Sequence, residues 1–352
     1  MPALTTESPD TLQNLCLNYI ASEIVHPAAS DGEYCHKNTN DSIVLQKSIG
    51  RPDGTFMPSV VADLLISRMS TCRTLCNETI ELFQSSNTCL RHVVIRQAPI
   101  TAAGLRVLRS HKLVSLVVEP DDPKRLTVTD VICCLNEWTV ANLRSLSVTG
   151  VTFGQARGPP VIISVCALRN LHSLDVSRTD FNESMLKIIV NDLPRLESLD
   201  ISSTLVSDVT ALSQCRTRLR RLLMYNVRLN NSSSVDVLRS LSSLRVLDVS
   251  QDPPSHSYSS LRVNSITAND ILLEGSEFHD LVSLDISGTQ NVVATLVRYQ
   301  NVIHVGYVLD SIKLWCIVKF VVGDIYAEKV LKFTIFSMTA ETEYSSYIDH
   351  HF

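Results

Sequence analysis

Apolar and polar residues alternate in a phrase that returns along most of this chain. L-H-S-L-D-V-S opens at Leu171, L-E-S-L-D-I-S at Leu196, L-V-S-L-D-I-S at Leu281 and L-R-V-L-D-V-S at Leu244. Looser copies open at Leu90, Leu113, Leu143 and Leu219. Alternation with a period of two over so few residues predicts a short, half-buried strand. In it Leu174 and Val176 point inward and Asp175 points outward. Between phrases the spacing changes. Met185, Leu186, Ile189 and Val190 fall at helical intervals and predict a helix packed behind the strands. Successive phrases start 23, 30, 28, 25, 23, 25 and 37 residues apart. A unit of that size cannot bury its own apolar face, so the units must stack.

Period and phrase together are those of a leucine-rich repeat: Leu at positions 1 and 4, an aliphatic residue at 6, Asn or Cys at 9, an apolar residue at 11. Leu171, Leu174, Val176, Thr179 and Phe181 fill it, as do Leu196, Leu199, Ile201, Thr204 and Val206. Thr replaces the usual Asn, and its hydroxyl can do part of the same task for the backbone. The third strict copy runs Leu281, Leu284, Ile286, Thr289, and Asn291 breaks its apolar position. The expected architecture is α/β, a leucine-rich-repeat solenoid with an N-terminal helical docking domain. Stacking sets Asp175 beside Asp200, with Asp248 and Asp285 continuing the column past Leu223. Ser173, Ser198 and Ser283 form a second column, and Ser177, Ser202, Ser250 and Ser287 a third. The acidic column reads either as a patch for a basic partner or metal, or as a polar column of the repeat consensus whose carboxylates accept from neighbouring hydroxyls. The second reading is preferred, because a column that recurs with the unit is explained by the unit. The long interval is assigned to a loop over 251–260.

A chain of 352 residues with 45% hydrophobic content can bury a sizeable core. Its net charge of −5 points to neither nucleic acid nor a membrane surface. The ten cysteines contain no Cys-x-x-Cys, and the N-terminus M-P-A-L-T-T-E-S-P-D is not a signal peptide. They read as reduced thiols of the cytoplasm, with the nucleus as a second compartment, acting as small apolar residues. Asn77, Asn182 and Asn231 open Asn-x-Ser/Thr triplets that carry no meaning in that compartment. Phosphate loop, Gly-x-Ser-x-Gly and His-Glu-x-x-His are all missing, so no enzyme is expected, and no cofactor or metal. His172 reads as an exposed strand residue.

Ser8-Pro9-Asp10 is a helix start, with Ser8 as cap and Pro9 at the first helical position. Leu12, Leu15, Cys16, Tyr19 and Ile20 then form one apolar stripe, which suits a capping helix for the first repeat. Thr11-Leu12-Gln13-Asn14-Leu15-Cys16-Leu17-Asn18-Tyr19-Ile20 also resembles a BC-box, the Elongin C-binding helix of cullin-RING substrate receptors. Met57-Pro58-Ser59-Val60-Val61 resembles a cullin-2 box, with Pro58 starting a helix that carries Val61, Leu64, Leu65 and Arg68. A polar loop over 30–54 separates the two.

BC-box, cullin-2 box and leucine-rich repeats, in that order over residues 9–300, resemble the zyg-eleven and zer-one family of cullin-2 RING ubiquitin-ligase receptors. The resemblance implies a non-catalytic substrate receptor. Leu12, Leu15, Cys16 and Ile20 would bind Elongin C of the Elongin B–Elongin C pair, and Met57, Pro58 and Val61 would bind cullin-2. It divides the chain into a docking region over 1–88, repeats over 89–300 and a divergent segment over 301–352. The family continues into armadillo-like helices that read substrates with an N-terminal glycine, and no residue before Phe352 is expected to form that pocket. After Asn301 the repeat pattern fades, and I-V-K-F-V-V-G from Ile317 reads as a strand. Asp310, Lys313 and Lys319 argue against a membrane span there. The alternative function is a leucine-rich-repeat interaction module unrelated to ubiquitin.

Overall fold

The computed structural model describes residues 57–84, 88–154, 162–251 and 280–285, and the backbone alone of 304–309, 312–317 and 334–337. The chain forms two compact units, divided between Thr152 and Phe153. The predicted helix at Leu12–Ile20 and the loops over 30–54 and 252–260 lie outside the described residues.

The first unit opens with helix α1 (Ser59–Thr71) and the short α2 (Asn77–Ile80). Strand β1 (His92–Ala98), α3 (Ala102–Leu105), β2 (Ser115–Pro120), α4 (Val128–Cys133), α5 (Glu137–Asn142) and β3 (Ser145–Ser147) follow. The strands are parallel neighbours, with Leu116 paired to Val93 and Leu146 to Leu116.

The second unit runs through α6 (Ile162–Cys166), β4 (Ser173–Asp175), α7 (Glu183–Asp192), β5 (Ser198–Asp200) and a 3₁₀ turn (Thr210–Cys215). Then come β6 (Arg221–Leu223), α8 (Ser232–Arg239), β7 (Val246–Asp248) and β8 (Ser283–Asp285). All five of these strands are parallel and in register. Each of the eight phrases read from the sequence therefore holds one strand, and the fold is an α/β leucine-rich-repeat stack. The parallel ladder extends past Asn301. Strand β9 (His304–Leu309) pairs with β8, and β10 (Ile312–Ile317) and β11 (Thr334–Ser337) then turn antiparallel. Of the strand read from Ile317 onward, Ile317 is the last residue of β10, and 318–333 lie outside the described residues.

Template positions become the core. Leu174, Leu199, Leu222, Leu247 and Leu284 from position 4 are buried, as are Val176, Ile201 and Met224 from position 6. Burying such a side chain is worth about 1.5–3 kcal/mol. Position 11 places Phe153 against Phe181, ring centroids 5.6 Å apart. The predicted helix is α7, which buries Leu186, Ile189 and Val190; Asn182 caps it by accepting from the Met185 amide at 3.2 Å. Asn231 caps α8 through the Ser234 amide, so two of the three Asn-x-Ser/Thr asparagines are helix caps. The threonine hydroxyls of position 9 donate to the backbone, Thr179 to Val176 and Thr204 to Ile201. His172 lies before β4 rather than on it, half-buried, with Nδ1 2.8 Å from the Asn170 carbonyl.

Position 8 is left-handed in five of the seven described repeats, Pro120 and Gln251 being the exceptions. Gln97, Arg178, Ser203 and Asn226 have φ between 50° and 58°, and Gly150 has φ 71°. After β4, β5 and β6 the chain leaves the strand there without losing its ladder. The amides of Arg178, Ser203 and Asn226 donate to the carbonyls of Ser202, Tyr225 and Ser250 in the following repeat.

Candidate docking surface

Helix α1 is apolar on two sides. Ala62, Leu65, Ile66 and Met69 recur at intervals of three, one and three residues and are buried. Pro58 precedes the first turn with φ −56° and ψ 145°, as a residue without an N–H to satisfy can. The helix stops where Arg73 turns left-handed at φ 57° and donates to the Ser70 carbonyl.

Two polar side chains fix α1 to the open side of β1. Asp63 Oδ1 accepts from the Arg91 amide at 2.9 Å. Ser70 Oγ accepts from the Arg96 amide at 2.6 Å and donates to the Arg96 carbonyl at 2.9 Å. Met57 makes an isolated parallel bridge with Thr88. Burial pushes the Asp63 carboxyl up, against the pull of the Arg91 and His92 amides. His111 is buried nearby, its Nδ1 3.3 Å from the Leu90 amide; burial holds its pKa below the ordinary value, opposed by the Phe83 backbone and by Asp63.

The second side of α1 is uncovered. Val60 is 66% exposed, Val61 41% and Leu64 38%, and Pro58 is exposed beside them. Of the residues expected to bind cullin-2, Pro58 and Val61 lie on this face and Met57 is half-buried at its start. Leu65, read from the sequence as part of the same docking helix, belongs to the core at 4% exposure. Val60 takes its place on the surface. The signal for it was available: Val60, Val61 and Leu64 give the helix a second apolar side besides the one that Ala62, Leu65, Ile66 and Met69 bury. Leu12, Leu15, Cys16 and Ile20, expected to bind Elongin C, lie outside the described residues.

A second surface is the strand face of the second unit. The register puts Asp175 beside Asp200, Leu223 between Asp200 and Asp248, and Asp248 beside Asp285, as the sequence columns require. Asp175, Asp200 and Asp248 each accept, at 2.9 Å, from the amide two residues on, those of Ser177, Ser202 and Ser250. The consensus reading of the column holds: the Ser202 and Ser250 hydroxyls serve Asp200 and Asp248, and the backbone amides of the same repeats join them as donors. Burial raises the Asp200 pKa, the Ser202 hydrogen bonds lower it, and Asp175 and Asp248 raise it further.

Among the described residues no cluster of three or more His, Cys, Asp or Glu could hold a metal ion. No described helix is long and apolar enough to cross a membrane. The described cysteines are free thiols, and burial pushes those of Cys134 and Cys166 up to about 12.

Residues 206–304 match the protein family described as Zer-1-like, leucine-rich repeats. Among solved structures, internalin C2 of Listeria monocytogenes is 16% identical over 66% of this chain and 84% of its own, with a TM-score of 0.40. A TLR13–ssRNA13 complex matches 63% of this chain and 32% of its own at 14% identity, TM-score 0.38. The leucine-rich-repeat protein LIC12759 of Leptospira interrogans matches 63% of this chain and 54% of its own at 15% identity, TM-score 0.34. The phrases that open at Leu219, Leu244 and Leu281 fall within the family match, and the repeats there are similar to Zer-1-like leucine-rich repeats.

Proposed function

We propose that this chain is the substrate-receptor subunit of a cullin-2 RING ubiquitin ligase. The leucine-rich repeats are its protein-interaction module. Elongin C, with Elongin B, docks on Leu12, Leu15, Cys16 and Ile20, and cullin-2 docks on Met57, Pro58 and Val61. The observation that carries the reading is the uncovered apolar side of α1. Val60, Val61 and Leu64 stay exposed on a helix whose other side is fixed to the repeats. Contiguous exposed apolar residues mark interaction surfaces. Their position, immediately after the Met57-Pro58 step, is where the motif order places the cullin contact. The Zer-1-like repeat match supports the same family.

The test is co-purification of the full chain with Elongin B–Elongin C and the N-terminal domain of cullin-2. Wild type should capture both. Leu12→Ser should lose Elongin C, since burying one leucine is worth about 1.5–3 kcal/mol, or at least about tenfold in affinity. Met57→Ala with Pro58→Ala should keep Elongin C and weaken cullin-2. Failure of the wild type to bind either partner refutes the proposal and leaves an interaction module unrelated to ubiquitin.

A further inference from the structure

A repeat explains its own columns, so the informative surface positions are those that break them. Strand β6 breaks all three. Where repeats on both sides carry Asp, it carries Leu223. Position 3 holds Arg221 in place of Ser173 and Ser198, and position 7 holds Tyr225 in place of Ser202 and Ser250. Leu222 and Met224 alternate with these residues and are buried, so Arg221, Leu223 and Tyr225 share the outward face. Arg221 is exposed, and Leu223 and Tyr225 are half-buried.

The fold does not ask for this change. At three other strands the Asp of position 5 holds the amide of position 7. In β6 that carboxylate is gone, and the Tyr225 amide instead donates to Ser202 Oγ of the preceding repeat at 3.1 Å. The backbone is satisfied by a substitute. What the change alters is the outward chemistry: an apolar and aromatic spot set into an acidic row. Asp200 and Asp248 flank Leu223 on the two neighbouring strands, each about 4.8 Å away in the ladder direction.

We propose that this spot is a docking site for an extended segment of a partner protein with the pattern basic–x–apolar–x–basic. Its apolar side chain sits on Leu223 and Tyr225, and its basic side chains reach Asp200 and Asp248. Residues two apart in an extended chain are about 6.8 Å apart, a spacing that long Lys or Arg side chains bridge to carboxylates in the adjacent repeats. The negative row repels nucleic acid and acidic peptides. Arg221, toward the N-terminal end of the strand, repels a further cation and keeps the segment on the Asp row. Placing a cation beside Asp200 also offsets the repulsion from Asp175 and Asp248 that burdens this carboxylate. The inference is independent of the ligase reading, and its test uses no ligase component, so either can fail alone.

The experiment pans a heptapeptide library displayed on phage against the full chain, then measures the enriched peptides by fluorescence polarisation. Enrichment of basic–x–apolar–x–basic peptides is expected. Their affinity should fall by about tenfold or more for Leu223→Asp with Tyr225→Ser, the loss of a central interface anchor. That double variant restores the residues that folded neighbouring repeats carry, and an unchanged circular-dichroism spectrum certifies it. Asp248→Asn, which keeps the Oδ1 acceptor for the Ser250 amide, should weaken the same peptides without unfolding. An enriched consensus lacking basic residues, equal binding to the double variant, or no enrichment at all overturns the proposal.

Discussion

Gly150→Ala tests the left-handed position that follows β1, β3, β4, β5 and β6. Gly150 has φ 71°, and a Cβ added there would meet no atom within 4 Å. Steric clash with neighbours is therefore removed from the comparison, and only the backbone conformation is left. A left-handed L-residue costs about 1–2 kcal/mol, while removing glycine's freedom in the unfolded chain returns about 0.5–1 kcal/mol. The difference is a destabilisation of about 0.75 kcal/mol. With a urea dependence of about 2 kcal/mol per molar, the midpoint falls by about 0.4 M. Ser203→Gly reverses the sign at an equivalent position, where Ser203 holds φ 54°. Its amide, which donates to the Tyr225 carbonyl at 2.7 Å, is untouched. Its midpoint should rise by a similar amount. Asn226→Gly should change little, because Asn adopts this region more readily than most residues. Urea titrations followed by far-ultraviolet circular dichroism, with each unit's transition read separately, give all three. A Gly150→Ala midpoint that stays or rises, or a Ser203→Gly midpoint that falls, refutes a strained position 8.

Leu199→Ala removes a fully buried leucine from the centre of β5 and should cost about 2–5 kcal/mol, read as the loss of urea midpoint of the second unit. Asp200→Asn keeps an oxygen for the Ser202 amide but removes a carboxylate whose pKa burial and its neighbours raise; it should raise the midpoint at pH 7, with the gain shrinking as acid neutralises the wild-type carboxyl. His111 titrates in the opposite sense. Its folded pKa lies below 6.5, so the unfolded chain takes up the proton first, and stability is full above about pH 6.5 and falls as the pH drops from there toward the folded value. His111→Asn, which retains an acceptor for the Leu90 amide, should flatten that slope in thermal melts between pH 7 and 5.

Strand positions and core were legible in the sequence because the phrase carries both: Leu174, Leu199 and Leu284 announce period and burial at once. Helix α7 was legible from the spacing of Met185, Leu186, Ile189 and Val190. Position 8 was not, since Arg178, Ser203 and Asn226 share no chemistry, only a backbone angle; Gly150 was the one hint. The amide's share in holding each Asp was not legible, because a serine two residues after a carboxylate offers both hydroxyl and amide, and the backbone angle decides whether both reach it. In α1 the sequence placed the helix start at Pro58 correctly but could not sort Leu64 from Leu65. Which of two adjacent apolar residues faces the core depends on where β1 lies.

The attachment of α1 to β1 bears on what happens when the chain is cut. A parallel ladder of identical repeats has no intrinsic end, and an uncovered outer strand is a template on which another molecule can add its own. Ser70 occupies the amide and carbonyl of Arg96 that such an addition would use, and Asp63 holds the Arg91 amide just before β1. A proteolytic fragment beginning near Leu90 would carry the repeats without that stopper, and should form sheet-to-sheet polymers at concentrations where the intact chain does not.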